Sequence, residues 1–437
     1  MKDAVHDLPG SSIEMRVANS VGQRQPENFR LSYDVLVLDA ILRQSLVTVR
    51  SLGRRGLLVA AVEATNKLEG ASSLPAFSSR WCQRKCIAPS YERSTEPYLT
   101  YLEQALDRTG ARVVITSSDG TLALIRQHRE QLERRAAIAL AKESALEVAI
   151  NKDRTLEIAA QLGVAVPRGV QVASVSDVPA ALREIGLPAV VKPVESWLWS
   201  EQQSGRLTCR LVTTADEARR AVEELIRLGG STIFQQFLTG SREAVSLMYA
   251  HGEIYACFAQ YAKRTHPPLG GTSVLRQSIV LPQDIGDQSE HLVREIELEG
   301  YSEIEFRRDS KGIPYLMEIN PRLSASIEVA VRAGVDFPYL LYQWANGDPI
   351  DHVQGYRVGG WMRYLEGDFL TTLQTLSQRG RPGVAPPVQA MVDFVLTFLK
   401  PMGYDYLDWG DPLPACTAMA GFVCYLAKRL RRSLSEG

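Results

Sequence analysis

The chain is short of cysteine, has no dominant charge and lacks a long apolar run, and each shortage removes a class of protein. Six cysteines in 437 residues are too few to frame a disulfide-rich secreted protein, so a reduced, cytoplasmic setting is expected. Lys and Arg total 49 against 50 Asp and Glu, a formal net charge of -1. No basic field therefore points to nucleic acid, and no acidic excess points to disorder. Nowhere do about 18 apolar residues follow one another, the length that a membrane span needs. The nearest candidate, Ala415 to Ala427 ahead of Lys428-Arg429-Leu430-Arg431-Arg432, reads as a docked C-terminal helix, so stable membrane insertion is not expected. Met1 to Arg30 is polar, carries Pro9, Gly10, Gly22 and Pro26, lacks the apolar centre of a signal peptide, and reads as a flexible tail.

Several catalytic signatures are missing as well. No GxGxxG follows the first strand, which removes the main support for a dehydrogenase. No HExxH, GxSxG or Walker A pattern occurs, which argues against zincins, α/β-hydrolases and P-loop enzymes. Cys82 and Cys86 form a CxxxC pair with no second pair nearby, so they read as packing thiols rather than zinc ligands. There is no internal repeat and no low-complexity tract.

What the chain does have is length for roughly three domains and 45% hydrophobic residues to fill their cores. Apolar runs at Tyr33–Asp39, Leu57–Val62 and Val113–Thr116 alternate with helical stretches, which predicts a parallel α/β sheet from about Tyr33 to Gln131. Lys142 to Leu162 reads as one helix ending at Gly163. Strands are expected at Leu187–Pro193 and Thr232–Leu238, with a helix over Ala215–Leu228 between them. Ala244 to Tyr261 reads as a hairpin around His251-Gly252, and Tyr301 to Asn320 as a second around Asp309–Gly312. After Asn346 the pattern weakens to a strand near Val358–Tyr364, helices near Phe369–Gln378 and Val388–Phe398, and a tail from Tyr404.

The second hairpin carries the chemistry. A two- or four-residue loop would set Glu305 opposite Leu316, so that Glu305, Glu318 and Asn320 project from one face; an odd loop would break the arrangement. Two carboxylates and an amide oxygen on adjacent strands suit Mg²⁺ bound together with a nucleotide. Glu318 also sits inside Leu316-Met317-Glu318-Ile319, where an unpaired acid is costly.

Glu305-Phe306, a glycine-bearing turn and Met317-Glu318-Ile319-Asn320-Pro321-Arg322 resemble the magnesium hairpin of ATP-grasp enzymes, which activate carboxylates as acyl phosphates. Lys152 in Asn151-Lys152-Asp153-Arg154 and Lys192 in Val190-Val191-Lys192-Pro193 are similar to the two lysines that such enzymes place on nucleotide phosphates. Gln235-Gln236-Phe237-Leu238 resembles the adenine hinge, and Glu243 the acid that often reaches the ribose. The resemblance spans about Tyr33 to Gly347. It departs at the phosphate loop, where Val194 to Gly205 holds one glycine and two tryptophans, so Ser196, Ser200 and Ser204 are candidates to replace backbone amide contacts. Arg276, on a strand after Gly270-Gly271, is the candidate holder of a carboxylate or acyl-phosphate oxyanion, and Arg322 offers a planar fork to phosphate oxygens. Lys263-Arg264 is similar to a segment of ATP-grasp amino-acid and peptide ligases, including those acting on D-aspartate.

The resemblance implies an ATP-grasp fold, α/β plus α+β. A tail (1–30) precedes an N-terminal parallel α/β domain (31–135). An ATP-grasp domain follows (136–350, with the lysine-bearing helix in 136–190 and the nucleotide and magnesium subdomain in 191–350), then a C-terminal extension (351–437). It implies ATP and Mg²⁺, with Mn²⁺ as the alternative metal, and a small-molecule carboxylate and amine as substrates. The alternatives are biotin-carboxylase-like carboxylation and a non-catalytic nucleotide-binding module. The extension either closes the site or forms an oligomer contact, a homodimer being the simplest.

Overall fold

A computed structural model of the protein describes residues 32–67, 74–199, 205–268, 270–381 and 384–435. The tail expected over 1–30 and the serines at 200 and 204 lie outside the described residues.

Three sheets carry the architecture. In the first, β1 (Val35–Val37), β2 (Val59–Ala64), β3 (Cys82–Ala88), β4 (Val113–Ile115) and β5 (Ala137–Ile138) lie in the order β3-β2-β1-β4-β5, every pair parallel. Both faces of β1 and β2 are buried, as expected of a parallel sheet covered on two sides. The sheet order reverses between β1 and β4, and Asp39, Ser117 and Ser118 stand just beyond the carboxyl ends of those two strands, a position where open α/β sheets form crevices. Asp39 adopts a φ of 61 and accepts hydrogen bonds from Thr121, Ser118 and the Ser117 amide.

The second sheet is antiparallel. After β6 (Gly169–Val172) and β7 (Ala189–Pro193) comes a small hairpin, β8 (Trp197–Leu198) with β9 (Gly205–Arg206), and then β10 (Arg210–Val212) and β11 (Thr232–Gln236). The sheet order is β10-β7-β11-β6, with the helix Ala215–Arg227 packed on it. The third sheet contains β12 (Arg242–Ala250), β13 (Glu253–His266), β14 (Thr272–Ile279), β15 (Gly300–Arg308), β16 (Pro314–Asn320), β17 (Trp361–Arg363) and β18 (Gly403–Tyr404), ordered β16-β15-β12-β13-β14-β17-β18. His251 and Gly252, both at positive φ, close β12 onto β13 as a two-residue hairpin turn requires. The segment after residue 350 supplies the last two strands of this sheet.

One expectation changes. The single helix over Lys142–Leu162 is two helices, Glu143–Ile150 and Lys152–Gln161. Asn151 leaves the helical region and its side chain accepts from the Asp153 and Arg154 amides, both at 3.1 Å. This N-cap outcompetes continuation of the helix, and it places Lys152 at the first helical position. The C-terminal helix expected over Ala415–Ala427 runs from Leu413 to Ser435, packed on one face and exposed on the other. Among the described residues no helix is long and apolar enough to cross a membrane.

Candidate functional site

The β15–β16 hairpin is closed by an odd loop. Arg308 pairs with Pro314 across the five residues Asp309–Ile313, and an odd loop turns the side chains of one strand to the opposite face. A bulge turns them back. Phe306 pairs with Leu316 and Glu305 pairs with Glu318, so Met317 is the extra residue and Glu305 faces Glu318 rather than Leu316. Glu305, Glu318 and Asn320 thus share one face, and Glu303, opposite Asn320, joins them. The sequence reading missed Glu303, although the two-residue period of a strand places it beside Glu305.

Around these acids the fold gathers cations. Asn320 Nδ2 donates to Glu305 Oε1 at 3.3 Å. Arg242, at the start of β12, ion-pairs with Glu305. Lys152 Nζ lies 3.7 Å from Glu318 Oε2 and donates to Ser196 Oγ at 2.9 Å. Desolvation works against ionisation of Glu318, but Lys152, Lys192 and Arg242 outweigh it and lower its pKa. Burial dominates at Glu305 and, with the repulsion of Glu318 and Glu303, pushes its pKa up to about 7 despite Arg242. Burial lowers the pKa of Lys192, near the end of β7, although Cys209 and Glu318 pull it upward. One strongly ionised and one reluctantly ionised carboxylate facing each other form a site that gains from a further cation. Two carboxylates and an amide oxygen are hard donors that fit Mg²⁺ and leave coordination positions for phosphate oxygens.

Next to this face is a cavity of about 270 Å³, lined in part by Asp119, Lys152, Ser196, Trp197, Trp199, Glu318 and Asn320. Asp119 comes from the first turn of the helix after β4, which Ser118 caps. Arg322 Nε donates to it at 2.6 Å, and Arg206 stands 3.6 Å away; burial opposes the Asp119 charge, yet Arg322 prevails and its pKa is lowered. The two tryptophans are packed inward. Their rings are 5.5 Å apart, and Tyr91 lies 5.7 Å from Trp197 and 6.3 Å from Trp199. Gly120 permits this, since a Cβ there would come within 2.9 Å of the Trp197 ring. Both indole N–H groups are buried without a partner among the described residues.

The remaining sequence candidates lie apart from that cavity. Gln235 is 1% exposed on β11, its side-chain nitrogen buried and unpaired, while the Gln236 amide donates to the Arg168 carbonyl at 2.8 Å. Arg307 lies 6.0 Å over the Phe237 ring and donates to the Leu238 carbonyl at 2.7 Å. Glu243 accepts twice from Arg308 Nε, at 3.0 Å each. Arg264 is bound bidentately by Asp368.

Arg276 is a correction. It does emerge on the face of the acids, but it is 0% exposed, donating to Asp405 at 2.8 Å and to the Ser326 carbonyl at 3.3 Å. Asp405 and the Ser326 carbonyl take two of its nitrogens, the third, Nη1, is buried without a partner among the described residues, and the side chain does not line the cavity. Between it and Glu303 runs a buried link: Gln260 donates to Glu303 and to Ser326 Oγ, both at 2.7 Å.

Comparison with known proteins bears on the fold. Residues 232–364 match the family described as "ATP-grasp in the biosynthetic pathway with Ter operon". A D-alanine–D-alanine ligase of Chromohalobacter salexigens is 25% identical over 207 residues, which cover 44% of this chain and 63% of the relative's length. A biotin carboxylase of Campylobacter jejuni, solved with a β,γ-ATP complex, is 15% identical, with a TM-score of 0.59 over 76% of this chain and 74% of that one. An L-amino acid ligase of Bacillus licheniformis is 19% identical, with a TM-score of 0.56 over 73% and 75%. The fold they share with this chain is the ATP-grasp fold.

Proposed function

We propose that this ATP-grasp protein is an ATP-dependent ligase that joins a small-molecule carboxylate to an amine and releases ADP and phosphate. The observation that carries the reading is Glu305 facing Glu318, with Asn320 beside them and Lys152 3.7 Å from Glu318. Glu305, Glu318 and Asn320 would hold Mg²⁺, which when bound supplies charge that neutralises the terminal phosphates of ATP. Lys152 and Lys192 add two point charges on those phosphates, and Ser196 orients Lys152. The strand end Gln235–Leu238 would meet the base, and Glu243 would reach the ribose once Arg308 yields it. The substrate carboxylate attacks the γ-phosphate, ADP leaves, and an amine then displaces phosphate from the acyl carbon. Arg322, held by Asp119, faces the negative charge that develops on the transferred group. On this reading 31–135 and 136–350 are the N-terminal and ATP-grasp domains, and 351–437 extends the large sheet.

Relatives named as D-alanine–D-alanine and L-amino acid ligases support amino acids as the first substrates to try. Purified full-length protein with Mg-ATP should release phosphate only when a carboxylate and an amine are both present, with a product lighter by one water than their sum. Glu318→Gln should abolish release while leaving the melting temperature within a few degrees. Release driven by bicarbonate alone would replace this reading with carboxylation, and a fully active Glu318→Gln would remove the assignment of the site.

A further inference from the structure

The C-terminal helix Leu413–Ser435 contains no charged residue before Lys428, which is the composition of a helix buried all round. Only half of it is covered. Thr417 contacts Ser78 at 2.7 Å and Phe422 packs on Phe369 at 5.9 Å, while Cys416, Met419, Ala420, Val423, Cys424, Ala427 and Leu430 on the opposite side are exposed. Cys416, Ala420, Val423, Ala427 and Leu430 recur at alternating steps of four and three, the spacing of a coiled-coil seam. The helix Pro387–Leu396, whose Phe394 packs on the same Phe369 at 6.2 Å, exposes Val388, Met391, Val392, Val395 and Leu396. Of the twenty large hydrophobic side chains exposed among the described residues, fourteen lie between Leu373 and Leu430, so the exposure is concentrated in one region. At roughly 100 Å² for each half-exposed large side chain, the fourteen total on the order of 1,000 Å², the scale of one side of a stable dimer, about 800 Å².

We propose that this face binds a second copy of the chain, the two C-terminal helices packing antiparallel about a two-fold axis at Val423. Charge sets the direction. Lys428, Arg429 and Arg431 are exposed at one end, and no acid occurs between Leu413 and Ser435, so a parallel pair would set like charges side by side while an antiparallel pair separates them. Size agrees with that direction. An axis at Val423 sets Cys416 against Leu430, small against large, and brings Ala420 and Ala427 together at the closest approach. A membrane surface fits less well, because an interfacial helix keeps a charged face opposite its apolar one, and here the opposite face is packed on the protein. In this arrangement the two copies of Cys424 meet beside the axis, whereas the two copies of Cys416 lie about 20 Å apart along it at 1.5 Å per residue.

Sedimentation of the full-length protein at micromolar concentration should give a dimer, and Val423→Arg should give a monomer with unchanged circular dichroism, its melting temperature no longer dependent on protein concentration. Val423 is 56% exposed, so the variant does not threaten the fold. A short bis-maleimide should link the wild-type dimer, fail with Cys424→Ser and still succeed with Cys416→Ser. A monomeric wild type, a dimer that survives Val423→Arg, or cross-linking that depends on Cys416 would each overturn the proposal. Monomers that float with phosphatidylcholine–phosphatidylglycerol vesicles would assign the face to a membrane instead.

Discussion

Glu318 is an acid kept ionised where its surroundings disfavour charge, and Lys152 is the nearest reason. Removing that cation takes a charged contact from whatever binds beside Glu318, and such contacts contribute about 1.5–3 kcal/mol, or tenfold to a hundredfold in affinity. Lys152→Ala should therefore raise the KM for ATP by at least tenfold, with a smaller change in kcat at saturation. An unchanged KM would mean that the lysine holds Ser196 and Glu318 and no phosphate. Lys192, Glu305 and Glu318 stand out in the sequence because charged residues inside apolar strands need a partner, and Lys152 and Asn320 because their local motifs resemble those of ATP-grasp enzymes. Arg242, Asp119 and Gln260 do not stand out in that way. Each acts through a neighbour distant in the chain, Arg242 on Glu305 and Asp119 on Arg322, and only tertiary structure brings those pairs together.

Elements were legible where side-chain period and turn residues agreed, as in the hairpin over His251-Gly252 and the alternation of strands and helices before Gln131. They were illegible where a single residue changed the register. Nothing local distinguishes Met317 as a bulge, yet without it the five-residue loop would turn Glu318 away from Glu305. Asn151 is the converse case, a cap visible in the sequence but set within apolar positions that continue on both sides. The hairpin β8–β9 takes its place from a contact between elements, Trp197 over Gly120. Gly120→Val adds side-chain atoms to a space where even a Cβ would lie 2.9 Å from the ring, so it should dislodge that hairpin from the helix Asp119–Gln127. The expected result is blue-shifted indole emission lost in favour of a solvent-exposed spectrum, a destabilisation of about 1–3 kcal/mol, and faster protease cleavage between residues 197 and 206. A spectrum identical to wild type would show that the tryptophans hold their position without the close approach.

At the scale of the whole molecule, the polar segment after β18 fastens the C-terminal part to the helix Arg43–Arg54. Asp405, Asp408 and Asp411, three residues apart, pair with Arg43, Arg54 and Arg50 in turn, and Asp405 also holds Arg276 of the large sheet. The spacing is visible in Tyr404 to Pro412, but its partners lie more than 350 residues away in the first case and could not be read from it. Asp405→Asn leaves two buried guanidiniums without their counter-ion, a change that costs about 3–5 kcal/mol. Burial opposes the Asp405 charge, but Arg276 and Arg43 outweigh it and hold its pKa below the ordinary value of 3.8. The unfolded chain then binds the proton more readily than the folded one, so the stabilisation is complete above the unfolded value and disappears as pH falls through the folded one. Urea unfolding of wild type and Asp405→Asn should differ by the full amount at pH 7 and converge below about pH 4. A gap that persisted to pH 2 would mean that shape and hydrogen bonding, rather than charge, join the C-terminal segment to the first helix.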